Sequence, residues 1–385
     1  MKPLAAGVSA MPRSGIREIM DIAWSIPGTL HLEVGEPNFD TPLHVIRAAA
    51  SAAESGHTKY TPNRGTPELR AAICEKLEQR NGLEVTTDQI VVASGATNAI
   101  LLTYLALLDP DDAVLVPDPG WPNFTMAATA MGARSVGYPL LADNDFLPDL
   151  EALDRLCRTT PRSKILVINT PSNPTGAVFD AETLDQMIAI ASSNDMYVLS
   201  DECYEEILFD GDHVSAARFD DIGRVVSIFS MSKTYAMTGW RLGYLAASSE
   251  LADALAKTQE IVTACASSVS QKAAEAALGG PQELVGERQL AYRHRRDLAV
   301  RLLDSEGLLI TRPKGAFYIM ANIASCGIES YDFCRRLVDE YHVAVAPGDA
   351  FGSLSKGMVR VSLAADDSTI TEGIGRLAKA VKNWS

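Results

Sequence analysis

The stretch "QIVVASGATNAILLTYLALLDPDDAVLVPD", residues 89–118, carries the pattern that determines the fold class. A short β-branched run at 89–94 is followed by a helix-patterned apolar stretch and then by a second β-branched run at 113–118. Short apolar runs of this kind are typical of buried strands, and strands that alternate with helices indicate βαβ units. The stretch therefore predicts two strands of a parallel sheet joined by a crossover helix.

The same alternation continues along the chain. Further short apolar runs are "SVGYPL" (135–140), "KILVINT" (164–170), "MYVLSD" (196–201), "RVVSIFS" (224–230) and "LGYLAAS" (242–248). Helix-patterned stretches separate most of them. We expect an α/β fold with a mostly parallel sheet, covered by helices on both faces.

The pattern changes after residue 250, where long helical stretches precede short strand-like runs. This indicates a smaller α+β domain. We divide the chain into an N-terminal segment (1–45) that packs with the small domain, a large domain (46–285) and a small C-terminal domain (286–385). Within the first of these, the segment 1–40 is predicted to be irregular, since it contains Gly-rich and Pro-rich turns such as "VGEPNFDTP".

Composition excludes several classes of function. The chain has 385 residues and a net charge of −15, which disfavours nucleic-acid and anionic-membrane partners. No apolar run of about 20 residues occurs, so we expect no membrane span, and the N-terminal stretch lacks a sustained apolar region, so we expect no secretory signal. The six cysteines of the chain are scattered and form no CxxC pair, so we expect reduced thiols, no metal site and a cytoplasmic location.

Polar residues cluster where the predicted strands end, which is where open α/β sheets bind ligands. Gly95, Ala96 and Thr97 follow the first run and open a helix, so they form either an anion site or only a tight turn. Asn173 lies in "PSNPTG" and is a turn residue or a ligand contact. Asp201 begins "DECYEE", and a carboxylate there needs a cation or several donors unless it caps a helix.

The segment "SMSKTYAMTGWR" (230–241) places Lys233 between hydroxyl residues, with Arg241 close behind. A lysine at a strand end can have a lowered pKa, which suits reaction with a carbonyl group, although a solvated lysine is the plainer alternative. Hydroxyls and a guanidinium beside a helix N-terminus fit a phosphate. A phosphate, a carbonyl-reactive lysine and a ring-directed carboxylate together describe pyridoxal phosphate.

With these motifs, the sequence resembles the class I/II pyridoxal-phosphate-dependent aminotransferases of fold type I, and in particular the aspartate aminotransferase-like group. The resemblance runs from "MPRSGIREI" to the C-terminus. The motifs "SNPTG", "SDECYEE", "SMSKTYAMTGWRLGY" and "KGAFY" appear in family order. The resemblance implies a large domain with a mostly parallel sheet, a smaller α+β domain, bound pyridoxal 5′-phosphate and a homodimer.

The resemblance also implies roles around the cofactor. Lys233 would be the Schiff-base lysine and proton carrier, and Asp201 would pair with the pyridine nitrogen. Tyr204 and Asn173 would hydrogen-bond the phenolic oxygen. The phosphate would be held by Gly95, Ala96, Thr97, Ser230, Ser232 and Arg241.

Four further positions follow from the same resemblance. Trp121 would stack on the cofactor ring and, with Asn173, would line the substrate site. Arg360 would bind the substrate α-carboxylate through two parallel hydrogen bonds, and the backbone of Gly35 would meet the same carboxylate. Tyr60 would reach a phosphate across the dimer interface.

The resemblance also implies cis prolyl bonds at Asp118–Pro119 and Asn173–Pro174. The chain departs from the family pattern at Cys203, where an apolar residue is more common, and at Thr97, where many relatives have lysine or serine. No basic residue occurs in "NAILLTYLALL" (98–108), one candidate wall of the substrate pocket. Arg13 and Arg17 are either substrate contacts or part of a solvated face.

We therefore predict an aminotransferase that moves an amino group between an L-amino acid and a 2-oxo acid by a ping-pong mechanism. The donor is aspartate, an aromatic or an aliphatic amino acid. The first alternative is a lyase of the same fold that catalyses β-elimination on cysteine-like substrates. A second is a cofactor-binding regulator, which would carry an N-terminal DNA-binding domain, whereas only a short segment precedes the first predicted helix.

Overall fold

The computed structural model describes residues 2–385, which form two β-sheets and the helices that flank them. The strands are β1 (Leu30–Leu32), β2 (Ile90–Ala93), β3 (Ala113–Asp118), β4 (Arg134–Pro139), β5 (Ser163–Asn169), β6 (Tyr197–Asp201), β7 (Val225–Ser230), β8 (Gly243–Ala246), β9 (Tyr318–Asn322), β10 (Val343–Pro347) and β11 (Met358–Ser362).

The α-helices are α1 (Ala6–Ala10), α2 (Gly15–Ser25), α3 (Leu43–Glu54), α4 (Pro67–Lys76), α5 (Ala96–Leu107), α6 (Pro122–Ala130), α7 (Leu150–Thr159), α8 (Ala181–Ser193), α9 (Met231–Thr234), α10 (Ser249–Val262), α11 (Ser268–Gly279), α12 (Glu283–Ser305), α13 (Ser330–Tyr341) and α14 (Asp367–Trp384). A search of residues 2–385 finds no helix with the length and apolar character needed to cross a bilayer.

The larger sheet has seven strands in the order β2-β8-β7-β6-β5-β3-β4. All neighbouring pairs from β7 to β4 are parallel, and β8 runs antiparallel to both of its neighbours. The seven predicted strands are all present. Their continuous apolar runs reflect burial on both faces: every residue of β2 is buried, as are five of the six residues of β3 and of β7.

This topology brings the polar strand ends together. Asn169 at the end of β5 is in register with Asp201 at the end of β6, and Asp201 is in register with Ile228 of β7. Ser230 ends β7, and α9 with Lys233 follows at once. The expectation that the ligand-binding groups share one edge of the sheet is met for these strands.

The smaller sheet has the order β1-β10-β11-β9. β1 pairs in parallel with β10, from Leu30 opposite Val343 to Leu32 opposite Val345, and the other two pairs are antiparallel. The prediction that the segment 1–40 is irregular was wrong, because α2 and β1 lie there. β1 is only three residues long and depends on a partner strand that is distant in the sequence, so no local pattern reveals it.

The structure contains cis prolyl bonds at Asp118–Pro119 and Asn173–Pro174, as the resemblance implied. A third, at Thr170–Pro171, was not predicted.

Candidate active site

Lys233 lies in α9, directly after β7, and its side chain points toward the N-terminal segment. Its Nζ donates a hydrogen bond to the backbone carbonyl of Gly35 at 2.6 Å. Burial lowers the pKa of Lys233 to about 8, and the positive charges of Arg360 and Arg241 act in the same direction. A substantial share of this amine is therefore neutral near physiological pH, which is the form that attacks a carbonyl.

Asp201 ends β6 and is 3% exposed. Its Oδ1 accepts a hydrogen bond from the backbone N–H of Cys203 at 3.2 Å. Burial raises the pKa of Asp201 to about 6; the charge of Glu202 adds to this, while hydrogen bonding with Cys203 and the charge of Lys233 oppose it. The hydrogen bonds and charges around the carboxylate therefore do not fully offset the cost of burying its ionised form. A nearby cation would stabilise that form.

Arg360 projects from β11 into a closed aromatic pocket. Its Nη1 donates to Asn173 Oδ1 at 2.8 Å and its Nη2 to the backbone carbonyl of Glu33 at 2.6 Å. The guanidinium carbon lies 4.1 Å from the ring centre of Tyr318 and 4.9 Å from that of Phe351. The Nε atom is buried and has no hydrogen-bond partner within residues 2–385. This guanidinium is held rigidly and still has an N–H available for a ligand carboxylate.

Tyr204 and Tyr318 form a pair of buried hydroxyls between Lys233 and Arg360. Their oxygens are 2.7 Å apart. Lys233 Nζ lies 5.9 Å from the ring centre of Tyr204 and 5.8 Å from that of Phe317. A Cβ at Gly35 would overlap the Tyr318 hydroxyl, so this position requires glycine. The amide of Asn173 bonds to Arg360, so the predicted ligand groups and Tyr318 form one connected cluster.

The predicted phosphate site is built at the N-terminus of α5. Gly95 has φ +86°, and a Cβ there would come within 2.8 Å of Arg241 Nη2. Ser230 Oγ accepts from the backbone N–H of Ser232 at 3.1 Å. A helix N-terminus that closely faces a guanidinium suits a dianionic ligand.

The remaining predicted residues lie in more open positions. Ala96 and Trp121 are half-buried, and the Trp121 ring packs edge-on against Phe124 with centroids 5.6 Å apart. Thr97 is exposed. Tyr60 is 90% exposed in the single chain, so this structure does not bring it to the buried group.

Neither N-terminal arginine reaches the buried group in the part of the chain that the structure describes. The Arg13 side chain is 92% exposed and pairs weakly with Glu18 at 3.9 Å. Arg17 Nη1 lies 3.8 Å from Met20 Sδ on its own helix. The solvated-face alternative fits both residues.

Sequence reasoning did not assign roles to several residues of this cluster, namely Glu33, Asn169, Tyr318 and Phe351. One signal was available: Tyr318 lies within the quoted "KGAFY" motif and is opposite Ser362, two positions from Arg360 on the same face of the small sheet. Asn169 was harder to find, because its bonds to Asp201 O and Asn173 N depend on the loop after β5.

These observations test whether pyridoxal phosphate fits the site. Asp201 needs a buried cation, and the protonated ring nitrogen would supply it. Arg241 approaches Gly95 so closely that a Cβ there would crowd its guanidinium, which places a positive charge beside the N-terminus of α5, as a phosphate would require. Lys233 has the pKa required to react with the aldehyde, and Arg360 keeps one buried N–H without a partner among the described residues. The residues fit the cofactor.

Comparison with known proteins gives consistent matches. The family model described as aminotransferase class I and II matches residues 27–377. The chain is 40% identical to the bifunctional aspartate aminotransferase and glutamate/aspartate-prephenate aminotransferase of Petunia hybrida, over 91% of this chain and 76% of that protein. It is 36% identical to aromatic-amino-acid aminotransferase 2 of Thermococcus litoralis, over 96% of each chain. The solved structure of aspartate aminotransferase from Thermus thermophilus with maleate is 35% identical, with a TM-score of 0.93, over 99% of this chain and all of that one.

Proposed function

The chain belongs to the class I and II aminotransferases and is a pyridoxal-phosphate-dependent aminotransferase, and on this premise we propose that it transfers the amino group of L-aspartate to a 2-oxo acid. The observation that carries the proposal is the buried group formed by Lys233, Asn173 and Arg360. It combines an amine of lowered pKa with a guanidinium that retains an unpartnered N–H among the described residues.

Pyridoxal phosphate, when bound, supplies the carbonyl carbon that receives the amino group and the electron-withdrawing ring that weakens the substrate Cα–H bond. We assign proton transfer to Lys233, whose Nζ would carry the proton from the substrate Cα to the C4′ carbon of the cofactor, and in the opposite direction when the 2-oxo acid is aminated. Its lowered pKa suits both directions near neutral pH, because a general base works best when its pKa lies close to the working pH.

Other residues would bind and orient the cofactor and the substrate. Asp201 would hold the ring nitrogen in its protonated form. Arg360 would bind the substrate α-carboxylate, since Asn173 and Glu33 already hold its guanidinium in one orientation. Tyr204 would donate to the phenolic oxygen. Burial raises the pKa of Tyr204, so its hydroxyl stays protonated and remains a donor. Gly95, Ala96, Thr97, Ser230, Ser232 and Arg241 would hold the phosphate, and Trp121 would stack on the ring.

Aspartate as the amino donor is supported by the names of the Petunia hybrida and Thermus thermophilus proteins, and the structure of the second was solved with maleate, a dicarboxylate.

An aromatic amino acid is the second candidate for the donor. The Thermococcus litoralis relative favours it by name, and the rings of Phe317, Tyr318 and Phe351 surround Lys233 and Arg360. The β-elimination alternative is not favoured, because these matches are named as aminotransferases.

A donor panel tests this choice. With 2-oxoglutarate as acceptor, we expect kcat/KM for L-aspartate to exceed that for L-phenylalanine by about tenfold or more, since a distal carboxylate offers an additional charge-assisted hydrogen bond. Steady-state rates at varied donor concentration, with 2-oxoglutarate held at a saturating concentration, give the values. A preference for phenylalanine would replace aspartate with an aromatic donor, and release of pyruvate and ammonia from cysteine would support the lyase.

We also propose that the enzyme is a homodimer and that Tyr60 serves the partner's phosphate site. The support is the exposure of three large side chains, Leu43, Ile46 and Tyr60, which are 57%, 41% and 90% exposed. Leu43 and Ile46 also line an open cavity together with residues 40–42 and Trp240. Exposed apolar surface of this kind is typical of a protein interface.

A mixed dimer tests the role of Tyr60. One subunit carries Tyr60→Phe and the other Lys233→Ala. If Tyr60 acts across a two-fold interface, the subunit with intact Lys233 receives an unmodified tyrosine, and the mixture regains one site of wild-type cofactor affinity. Cofactor titration of the purified mixed dimer measures this. If Tyr60 acts within its own subunit, every active site keeps the weakened affinity of Tyr60→Phe, about tenfold below wild type.

Two further assignments are part of the proposal. The division into 1–45, 46–285 and 286–385 is supported by the pairing of β1 with β10 in the small sheet, although the second boundary falls inside the continuous helix α12. A cytoplasmic location is supported by six free cysteines, which suit a reducing compartment.

A further inference from the structure

A second buried carboxylate directly follows Asp201, and the proposed mechanism does not use it. Glu202 is 0% exposed. Four side chains contact its two oxygens: Ser200 at 2.9 Å, Ser227 at 3.0 Å, His213 Nε2 at 2.8 Å and Ser215 at 2.5 Å. Burial alone would raise the pKa of Glu202, but the hydrogen bond and charge of His213, followed by the serine hydroxyls, outweigh it, and the pKa is lowered. Glu202 is therefore a buried anion.

His213 is the cationic partner. Its side chain is 8% exposed. Burial would lower the pKa of His213 and the charge of Lys76 acts the same way, but the hydrogen bond and charge of Glu202, with the charge of Glu205, outweigh them and raise it. The charged groups that face this imidazole are thus Glu202, Glu205 and Lys76, and its charge also acts on the carboxyl group of Glu206. A buried ion pair lies immediately behind the proposed ring-nitrogen acid.

The outer part of the network has its own cation. Glu205 bonds to the Lys76 ammonium and accepts from Asn81 Nδ2 at 2.6 Å, and Asn81 also donates to Ser215 at 2.9 Å. Ligand atoms of Glu202, Glu205 and His213 lie within 4.8 Å of one another, which is close enough to hold a metal ion. Because the Lys76 ammonium already neutralises Glu205, the group is better described as an ion-pair network.

The backbone around Asp201 and Glu202 is fixed on both sides. Asp201 O accepts from Asn169 Nδ2 at 3.2 Å and from Thr170 N at 3.3 Å, and Glu202 N donates to Ile228 O at 2.9 Å. The main chain that carries the two carboxylates is therefore held in place by both neighbouring strands. The negative charge of Glu202, on the residue next to Asp201, acts on Asp201 and on any proton that Asp201 holds.

We propose that Glu202 is a positioning residue for transamination, whose buried negative charge, oriented by His213, strengthens the hold of Asp201 on the protonated ring nitrogen of the cofactor. The inference rests on the proposed role of Asp201. Its physical basis is that two neighbouring anions retain a nearby proton more strongly than one does. His213 moderates the effect by balancing part of the charge.

The test is the pH dependence of the nitrogen-15 NMR shift of the ring nitrogen, in holoenzyme loaded with cofactor labelled at that nitrogen, because this shift reports the proton on the ring nitrogen itself. In Glu202→Gln, the midpoint should fall by about 0.5–1 pH unit, because a nearby anion has been removed without a change in shape. We expect kcat to fall about tenfold, with KM for the amino donor within about twofold of wild type.

Glu205→Gln is the matched control, because it removes a carboxylate from the same network that bonds to Lys76 and Asn81 and, unlike Glu202, does not directly follow Asp201 in the chain. It should lower the thermal unfolding midpoint and leave the pH midpoint of the ring-nitrogen signal unchanged. His213→Gln keeps an N–H donor and removes the positive charge, so its midpoint should rise. If Glu202→Gln does not fold, this expected rise in the midpoint of His213→Gln still tests the role of the Glu202 charge.

Equal shifts in Glu202→Gln and Glu205→Gln, or no shift in either, would overturn the inference. So would a fall in the midpoint of His213→Gln. An active Asp201→Ala variant would instead overturn the proposed role of Asp201. If Asp201→Ala is inactive but the midpoint of Glu202→Gln equals that of the wild type, the role of Asp201 stands and only the role of Glu202 is rejected.

Discussion

Lys233→Ala is expected to reduce turnover by about 10⁴-fold or more, because the variant loses both the amine that reacts with the cofactor and the base that moves the substrate proton. The environment of Lys233 is specific: its Nζ bonds to Gly35 O at 2.6 Å, and burial lowers its pKa to about 8. The measurement is kcat with saturating aspartate and 2-oxoglutarate.

Covalent labelling gives a second readout for the same residue. Borohydride reduction of the yellow holoenzyme should remove the colour and attach the cofactor to the peptide that contains Lys233. Lys257→Ala, which changes an exposed lysine on α10, should keep both activity and labelling. Label recovered on a different lysine would show that the assignment of Lys233 is wrong.

Asp201→Ala is expected to keep some bound cofactor and to lose at least about 10²-fold in kcat. Without the carboxylate, the ring nitrogen loses its proton near neutral pH, and the ring withdraws electrons less strongly. The raised pKa of Asp201, about 6, reflects its burial and shows that the ionised side chain gains from a cationic partner. Steady-state kinetics and the absorption spectrum of the holoenzyme measure both effects.

A matched control lies just before β6. Asp195 precedes this strand, is 87% exposed and pairs with Arg224 on the surface. Asp195→Ala should stay within about twofold of wild type in kcat, since exposed ion pairs contribute little to stability. If Asp201→Ala retained a rate within about tenfold of wild type, the ring-nitrogen role would have to be given to a different group.

The fold was largely predictable because the signal for a buried parallel strand is local. Each of the seven strands of the large sheet is a short apolar run that can be identified without knowing its neighbours. The segment 1–40 was misjudged for the opposite reason: β1 has three residues, and its stability comes from pairing with β10. Local patterns carry no information about such a distant partner.

The same distinction applies to the site. Lys233, Arg241 and their neighbouring serines lie within one short segment, 230–241, so their chemistry could be predicted from spacing and from the family resemblance. The bond between Arg360 and Asn173 joins residues 187 positions apart, and the Tyr204–Tyr318 pair spans 114 positions. Neither pair could be derived from spacing, because each joins a residue of the smaller sheet to a residue at the edge of the larger sheet.

The sequence by itself determined the strand-helix alternation, the polar residues at the strand ends and the lysine segment, all of which are properties of neighbouring residues. Only the tertiary structure decided the partners of Arg360 and Tyr204 and the enclosure of Glu202 by Ser200, His213, Ser215 and Ser227. The physical reason is that burial and hydrogen-bond geometry set these interactions, and both arise only when distant segments pack together and exclude water.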